Sequence, residues 1–230
     1  MFHVKPSTAT LSGQELEALR HALDAMRESG VAVPEDGESR LIQYAELLLS
    51  ENRRTQLISR RDEPFVIRRH LLESLAPLTA VEMTHFQRVM DLGSGAGLPG
   101  IPLAVACPGV HFVLMDSKRK RILFLRKVQK TLGLENIRIV LGRAEDRPVP
   151  LEVDAVIARA VAPLSDLWGW SLPYLNPGGC LLAMKGGDVR AEVQALQEQF
   201  ESVVVDIRAY SKQLVPETAN RFLVVVHKRV

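Results

Sequence analysis

Cysteine is nearly absent: the chain carries two, Cys107 and Cys180, far apart and both in apolar surroundings. A disulfide framework is not what holds this chain together, and both are read as reduced core residues of a cytosolic protein. No apolar run approaches the roughly 20 residues a membrane helix needs, and the opening Met1-Phe-His-Val-Lys-Pro6 lacks the apolar core of a signal peptide. The expectation is a cytoplasmic protein with no membrane partner. No Gly-Lys-Ser/Thr ending exists, which excludes a phosphate-binding P-loop. No serine sits in a nucleophile elbow, and the His and Cys spacings offer no metal site. Internal repeats and low-complexity segments are also missing.

What is present is ordinary in bulk. At 230 residues, 47% hydrophobic and 24% charged, the chain suits one sizeable domain plus an appendage. A pI of 8.6 points weakly to a polyanionic partner, but a net charge of +2 leaves the decision to how the charges are distributed. The first third reads as helix. Ser12 with Glu15 forms a capping-box start, followed by Leu16, Leu19, Leu23 and Met26 at helical spacing. After the loop Gly30–Gly37 a second helix carries Leu41, Ile42, Ala45, Leu48 and Leu49; Asp62-Glu63-Pro64 opens a third with Phe65, Ile67, Leu71, Leu75 and Leu78. This helical extension, residues 1–85, should pack on the remainder of the chain.

From residue 86 to 230 short apolar runs alternate with helical segments, the signature of a parallel sheet with crossovers. Strands are expected at Arg88–Leu92, His111–Asp116, Ile137–Leu141, Ala155–Ala158, Cys180–Lys185, Val203–Tyr210 and Arg221–Lys228. Helices are expected at Ile101–Ala106, Lys118–Leu132, Leu164–Leu175 and Val189–Phe200. The loop Ser211–Ala219 is too short for a crossover helix, so the last two strands should pair antiparallel. The fold class is α/β, Rossmann-like, with about seven strands.

The first strand runs into Gly93, Gly95, Gly97 and Gly100, a strand–turn–helix that lets backbone approach a nucleotide-like ligand. Gly95-Ala-Gly97-Leu-Pro-Gly100 matches the dinucleotide fingerprint, with Asp116 about 20 residues on, so the glycines alone cannot separate a nicotinamide enzyme from a methyltransferase. Three features favour S-adenosyl-L-methionine. The acid Asp91 ends the strand beside the ligand's cationic end, with nothing cationic to read a pyrophosphate. Gly142-Arg-Ala144-Glu145-Asp146 supplies acid and small side chains to bound an adenine edge. The terminal antiparallel hairpin is an addition a dinucleotide fold does not require. Gly93, Gly95 and Gly97 then carry the cofactor, and Gly100 packs the next helix.

Asp116 closes an apolar strand, where its carboxylate can accept both ribose hydroxyls, cap the helix beginning near Lys118, or both. Between Lys118 and Lys130 there is no acid, and Arg119, Lys120, Arg126, Lys127 and Lys130 share one helical face. A second cluster includes Arg53, Arg54, Arg60, Arg61, Arg68 and Arg69. Both read either as an RNA backbone path or as ordinary solvated charge. Arg159 and Lys185 end two strands on the side where open α/β sheets bind ligands; a salt bridge across loops is the competing reading for Arg159. Arg221 opens the last strand and is a weaker candidate for holding substrate.

The run Asp91-Leu-Gly-Ser-Gly-Ala-Gly-Leu-Pro-Gly-Ile-Pro-Leu-Ala resembles the bacterial 16S ribosomal RNA guanine-N7 methyltransferases, also called glucose-inhibited division protein B. So do Asp116-Ser-x-x-Lys120-Arg121 with Phe124-Leu125, Ile157-Ala-Arg159-Ala, Lys185-Gly186, and Arg69-His70 followed by Glu73-Ser74. The likeness runs from about Leu41 to the C-terminus. It implies a class I methyltransferase fold, cytoplasmic action as a monomer on 16S rRNA of the small ribosomal subunit (in its 530 loop), and cofactor contacts from Gly93, Leu98, Ala144, Glu145 and Arg159. Two departures bear on the RNA side. Glu51-Asn52-Arg-Arg-Thr-Gln56-Leu57-Ile58 stands where the family reads Trp-Asn-x-x-x-Asn-Leu-Thr, and Glu73 replaces an aspartate.

Guanine N7 has a lone pair and no proton, so its methylation needs no general base, in keeping with a chain that offers no catalytic dyad. Catalysis would be positioning, with Arg159 and Lys185 as candidates to hold the base. A non-catalytic RNA-binding module and a small-molecule methyltransferase are the alternatives.

Overall fold

The computed structural model describes residues 11–147, 149–212 and 220–228; most of the predicted Ser211–Ala219 loop lies outside them. Seven strands form one sheet in the order β3-β2-β1-β4-β5-β7-β6. They are β1 (Arg88–Leu92), β2 (His111–Asp116), β3 (Ile137–Leu141), β4 (Val153–Arg159), β5 (Leu175–Gly186), β6 (Val203–Ala209) and β7 (Arg221–Lys228). The first five run parallel, and β7 inserts antiparallel between β5 and β6. This is the class I methyltransferase arrangement expected from the sequence.

Alternation along the strands divides the core. Val89, Phe112, Leu114, Ala155 and Ile157 face a core completed by α1 (Gly13–Glu28), α2 (Gly37–Thr55), α4 (Gly100–Ala106) and α5 (Arg119–Leu132). Met90, Val113, Val140, Val156 and Leu181 face the opposite core, closed by α6 (Leu164–Ser171) and α7 (Arg190–Gln199). The N-terminal helices therefore share one continuous apolar interior with the sheet. Leu19, Leu23, Leu41 and Leu48 are fully buried in it, each contributing about 1.5–3 kcal/mol of transfer free energy. Tyr44 of α2, also fully buried, donates its hydroxyl to the Ala96 carbonyl at 2.8 Å and ties α2 to the glycine loop.

Four expectations need correction. The third helix is not regular: a 3-10 turn (Arg60–Phe65) passes into a π-helical stretch (Ile67–Leu72), then α3 (Glu73–Leu75) and a further 3-10 turn (Ala76–Thr79). Its apolar spacing tolerates the extra residue because Ile67, Leu71 and Leu75 still reach the core, while Phe65 stays exposed. The strand expected over Cys180–Lys185 begins at Leu175, and the helix expected to reach Leu175 stops at Ser171. The capping box is half formed. Ser12 accepts from the Glu15 N–H, but the Glu15 carboxylate turns inward to another segment.

Candidate active site

Strand order reverses between β1 and β4, and the carboxyl ends of strands at such a switch point are where open α/β sheets bind ligands. The loop after β1 is pinned there: Gly93 and Ser94 N–H groups both donate to the Met115 carbonyl at 2.9 Å, and the Ser94 hydroxyl donates to the Asp91 carbonyl. Gly93, Gly95 and Gly97 all have positive φ, at +73°, +57° and +93°. Beside them lies a cleft of about 280 Å³, bounded by Gly93, Asp116, Ala144, Glu145, Val161 and Trp170 among others. A larger concavity of about 740 Å³ opens at the amino ends of β1–β3, around Arg88, His111 and Arg138; it lies at the wrong end of the strands for this chemistry.

The glycines divide in function. A Cβ on Gly93 would come within 2.8 Å of Val161, at the cleft wall. One on Gly97 would strike Ile101 and Leu125 at 2.5 and 2.9 Å, and one on Gly100 would strike Leu114 at 2.2 Å and Asp91 at 2.5 Å. Gly97 and Gly100 therefore serve packing of α4 and α5, and Gly100 is the close-packing position the sequence indicated. Leu98 is buried in the same core rather than bounding the cleft.

Asp91 is fully buried. Its Oδ2 accepts from the Gly100 N–H at 2.9 Å, while Oδ1 has no protein partner. Burial pushes its acid up to about 7, against the Gly100 hydrogen bond and the Arg159 charge that favour the anion. An orphaned carboxylate oxygen below the loop suits the ammonium of S-adenosylmethionine, and a cleft floored by Gly93 and edged by Ala144 suits its flat end. The residues fit the group. Asp116 makes the contact at the start of α5 that the sequence left open, and it also lines the cleft. Its oxygens accept from the Lys118 N–H (2.8 Å), the Gly95 N–H (2.9 Å) and Arg121 Nη1 (2.9 Å), and the side chain lines the cleft. It caps the approach to α5, and three of about four acceptor sites are filled.

The remaining candidates assemble into a second group. Arg159 ends β4 just before Ala160 and Val161, which line the cleft; Ala160 holds a φ of +55°. Its guanidinium donates to Glu73 Oε2 at 3.2 Å and to His70 Nδ1 at 3.3 Å. The other Glu73 oxygen meets Arg221 Nε at 3.4 Å. The salt bridge across loops is thus what Arg159 makes in this structure, and it unites Arg159, Arg221, His70 and Glu73 beside the cleft. Burial, then the Arg159 charge, lowers the His70 imidazole to about 4, so it is neutral and accepts from Arg159. Lys185 is elsewhere: its ammonium donates to Glu192 (2.7 Å) and the Ala162 carbonyl (2.8 Å), and Glu192 also receives the Leu164 N–H. It fastens α6 to α7, and this geometry gives no support to its holding a base.

The cations are likewise sorted by acids that are distant in sequence. Lys127 pairs with Glu51 at 2.9 Å, joining the end of α2 to α5. Arg53 and Arg54 therefore continue the exposed face of Arg119, Lys120, Arg126 and Lys130, with Leu123 exposed at its centre. Arg69 pairs with Asp62 and stacks over Phe65 at 4.7 Å, while Arg68 is drawn inward to Glu15. In the Glu51–Ile58 turn Asn52 is buried and clamps the Leu57 and Ile58 N–H groups at 2.6 and 2.8 Å. Gln56 takes the left-handed conformation that asparagine tolerates better, which accounts for an asparagine in the resembled pattern. Both cysteines are free. Val161, Trp170 and Arg121 were missed at the cleft. The Trp168-Gly-Trp170 spacing was the available signal, because two residues two apart on a helix cannot both face the core: Trp168 is buried and Trp170 is not.

Comparison with known proteins agrees. Residues 37–216 match the family model GidB, rRNA small subunit methyltransferase G. The ribosomal RNA small subunit methyltransferase G of Yersinia enterocolitica is 43% identical over 182 residues, covering 76% of this chain and 85% of that protein. Its namesake from Neisseria gonorrhoeae is 37% identical over 214 residues, covering 93% and 98%. Among solved structures, the YcgJ protein of Bacillus subtilis superposes with a TM-score of 0.52 at 16% identity, over 70% of this chain and 98% of that one, a likeness of fold alone. With its glycine loop, switch-point cleft and sheet order in place, the chain belongs to the GidB family of rRNA small subunit methyltransferases G.

Proposed function

We propose that this protein transfers a methyl group from S-adenosylmethionine to N7 of a guanine in 16S rRNA, in the 530 loop, working in the cytoplasm as a monomer on the small ribosomal subunit. The observation that carries the reading is the meeting, at one switch point, of the glycine-loop cleft with the Arg159–Glu73–Arg221 group. Family membership supports the substrate class.

When bound, S-adenosylmethionine supplies an electrophilic methyl group on a sulfonium. Asp91 Oδ1, which has no partner among the described residues, would hold the ammonium. Gly93 and Gly95 keep the loop free of side chains, with Gly97 and Leu98 seating it on the core beneath. Asp116 accepts a ribose hydroxyl; a bidentate grip requires the part-exposed Arg121 to withdraw and free an acceptor site. Ala144 and Glu145 bound the adenine against Trp170. On the RNA side, Arg159 and Arg221 are donors suited to guanine O6 and adjacent phosphate, both held by Glu73, with Arg159 also engaging the Nδ1 lone pair of His70. No proton leaves N7, so these residues orient rather than titrate. The exposed face of Arg53, Arg54, Arg119, Lys120, Arg126 and Lys130 carries the RNA backbone, with the ion-paired Arg69 and Lys127 at its border exchanging their acids for phosphate.

The test is to incubate the protein with labelled S-adenosylmethionine and unmethylated 30S subunits or naked 16S RNA, then map the label. Label at one guanine N7 is expected. Its absence from guanine N7 under every condition, with a small molecule labelled instead, would overturn the reading.

A further inference from the structure

Helix α1 precedes residues 37–216 that match the family model, yet it carries a carboxylate the interior has enclosed: Glu15 is 1% exposed. Removing a carboxylate from water is strongly unfavourable unless its acceptor sites are met. All its partners lie on one segment. Oε2 accepts from the Ile67 N–H at 2.9 Å and the Arg68 N–H at 3.2 Å, and Oε1 is held by Arg68 Nε. These two N–H groups open the π-helical stretch Ile67–Leu72, where a helix start leaves donors without intrahelical acceptors. Glu15 is thus an N-terminal cap supplied in trans, negative where the dipole of the stretch is positive.

What the capped stretch carries is the RNA-side group. His70 lies within it and Glu73 immediately follows; between them they hold Arg159, and Glu73 also holds Arg221. A π-helical stretch bonds i→i−5, so its first N–H groups, those of Ile67 and Arg68 among them, take their acceptors from outside the stretch, here from Glu15. We infer that Glu15 is a positioning residue: by capping Ile67 and Arg68 it sets the rotation at which His70 and Glu73 present Arg159 and Arg221 to the target base. Helix α1 is then part of the RNA side of the site, not merely a cover over the core. This rests on the proposed function for its activity readout.

The experiment compares Glu15→Gln, which keeps the shape and loses the charge, with Leu19→Ala, which removes a buried α1 side chain and leaves the Glu15 bonds to Ile67 and Arg68 in place. Each is assayed for melting temperature, S-adenosylmethionine affinity, methyl transfer to RNA and hydrogen exchange of residues 66–73. Glu15→Gln should keep cofactor affinity within about twofold and speed exchange of residues 66–73. It should also lower kcat/KM for RNA roughly tenfold or more, since misplacing a positioning group by an ångström costs up to about 10²-fold. Leu19→Ala should lower the melting temperature while sparing kcat/KM. In a Glu73→Gln background, Glu15→Gln should cost little more, because both act through the same group. Wild-type kcat/KM in Glu15→Gln overturns the inference, as does an equal loss in Leu19→Ala. Should wild type transfer no methyl to RNA, the proposed function fails. Exchange at residues 66–73 then decides for Glu15 alone, and unchanged protection there overturns it.

Discussion

Replacing Gly100 with alanine isolates what the last glycine of the loop is for. Gly100 opens α4 beneath β1, and the added methyl would stand 2.2 Å from Leu114 Cδ2 and 2.5 Å from Asp91 Oδ2. Neither neighbour has room to yield, because both are fully buried between the sheet and α4. Overpacking of this kind costs about 1–3 kcal/mol. The same displacement strains the 2.9 Å bond from the Gly100 N–H to Asp91, worth about 1.5–3 kcal/mol when the carboxyl is ionised. Alanine's better helix propensity returns up to about 1 kcal/mol. The balance is a loss of about 2–5 kcal/mol, which for a domain of this size lowers Tm by roughly 4–20 °C. Thermal denaturation followed by circular dichroism measures it. Gly109→Ala is the control, since a methyl there meets nothing within 4 Å and φ is not left-handed, and its effect should stay within about 0.5 kcal/mol. A Gly100→Ala protein melting with or above wild type would refute the packing argument. Had Gly100 been a glycine facing a ligand, alanine would spare stability and weaken only binding.

Stability against pH should report two opposed groups. Asp91 is raised from 3.8 to about 7, so between those values the folded state keeps a proton the unfolded chain has lost, and stability falls as pH rises. His70 is lowered from 6.5 to about 4, so in that window the unfolded chain binds the extra proton and stability rises with pH. Each is worth on the order of 3 kcal/mol. Urea midpoints between pH 4.5 and 6.5 should climb in Asp91→Asn and fall in His70→Gln, and parallel profiles in the two would contradict the assignment. Gly95→Val should abolish S-adenosylmethionine binding in a folded protein. A Cβ there meets nothing closer than 3.8 Å but takes a φ of +57° that a β-branched residue resists, and titration calorimetry showing normal affinity would mean the cofactor lies elsewhere. Reversing Arg126, Lys127 and Lys130 to glutamate should leave cofactor affinity alone, raise KM for RNA, and lessen the slope of log affinity against log salt by about 0.7–0.9 per lost phosphate contact. A salt dependence identical to wild type would remove that face from the RNA path.

The strands and the glycine loop were legible in the sequence because their determinants are local. A buried parallel strand is a short apolar run, and Val89, Met90 and Leu92 followed by Gly93 need no distant partner to be recognised. Asp116 was legible for the same reason, sitting at the end of such a run. Glu15 was not. Its spacing to Ser12 is that of a capping box, and only the fold shows that its carboxylate is used 52 residues away. The π-helical stretch is invisible to apolar periodicity, since a single extra residue leaves Ile67, Leu71 and Leu75 all able to reach the core.

Charge shows the same limit in its most useful form. Along the chain, Arg68, Arg69, Lys127, Arg159, Lys185 and Arg221 belong to basic clusters or stand as lone cations at strand ends. In the fold each is met by an acid from another part of the chain or the next turn: Glu15, Asp62, Glu51, Glu73, Glu192 and again Glu73. Among the described residues, Arg53, Arg54, Arg119, Lys120, Arg126 and Lys130 make no such pair and are exposed on adjoining helix surfaces. Desolvating a paired cation toward a phosphate means breaking its existing bond, whereas an unpaired exposed one releases only counterions. The pairing therefore does what a sequence count cannot. It separates the cations that tie segments of the fold together, Arg159 and Arg221 beside the cleft among them, from those left available to a polyanion.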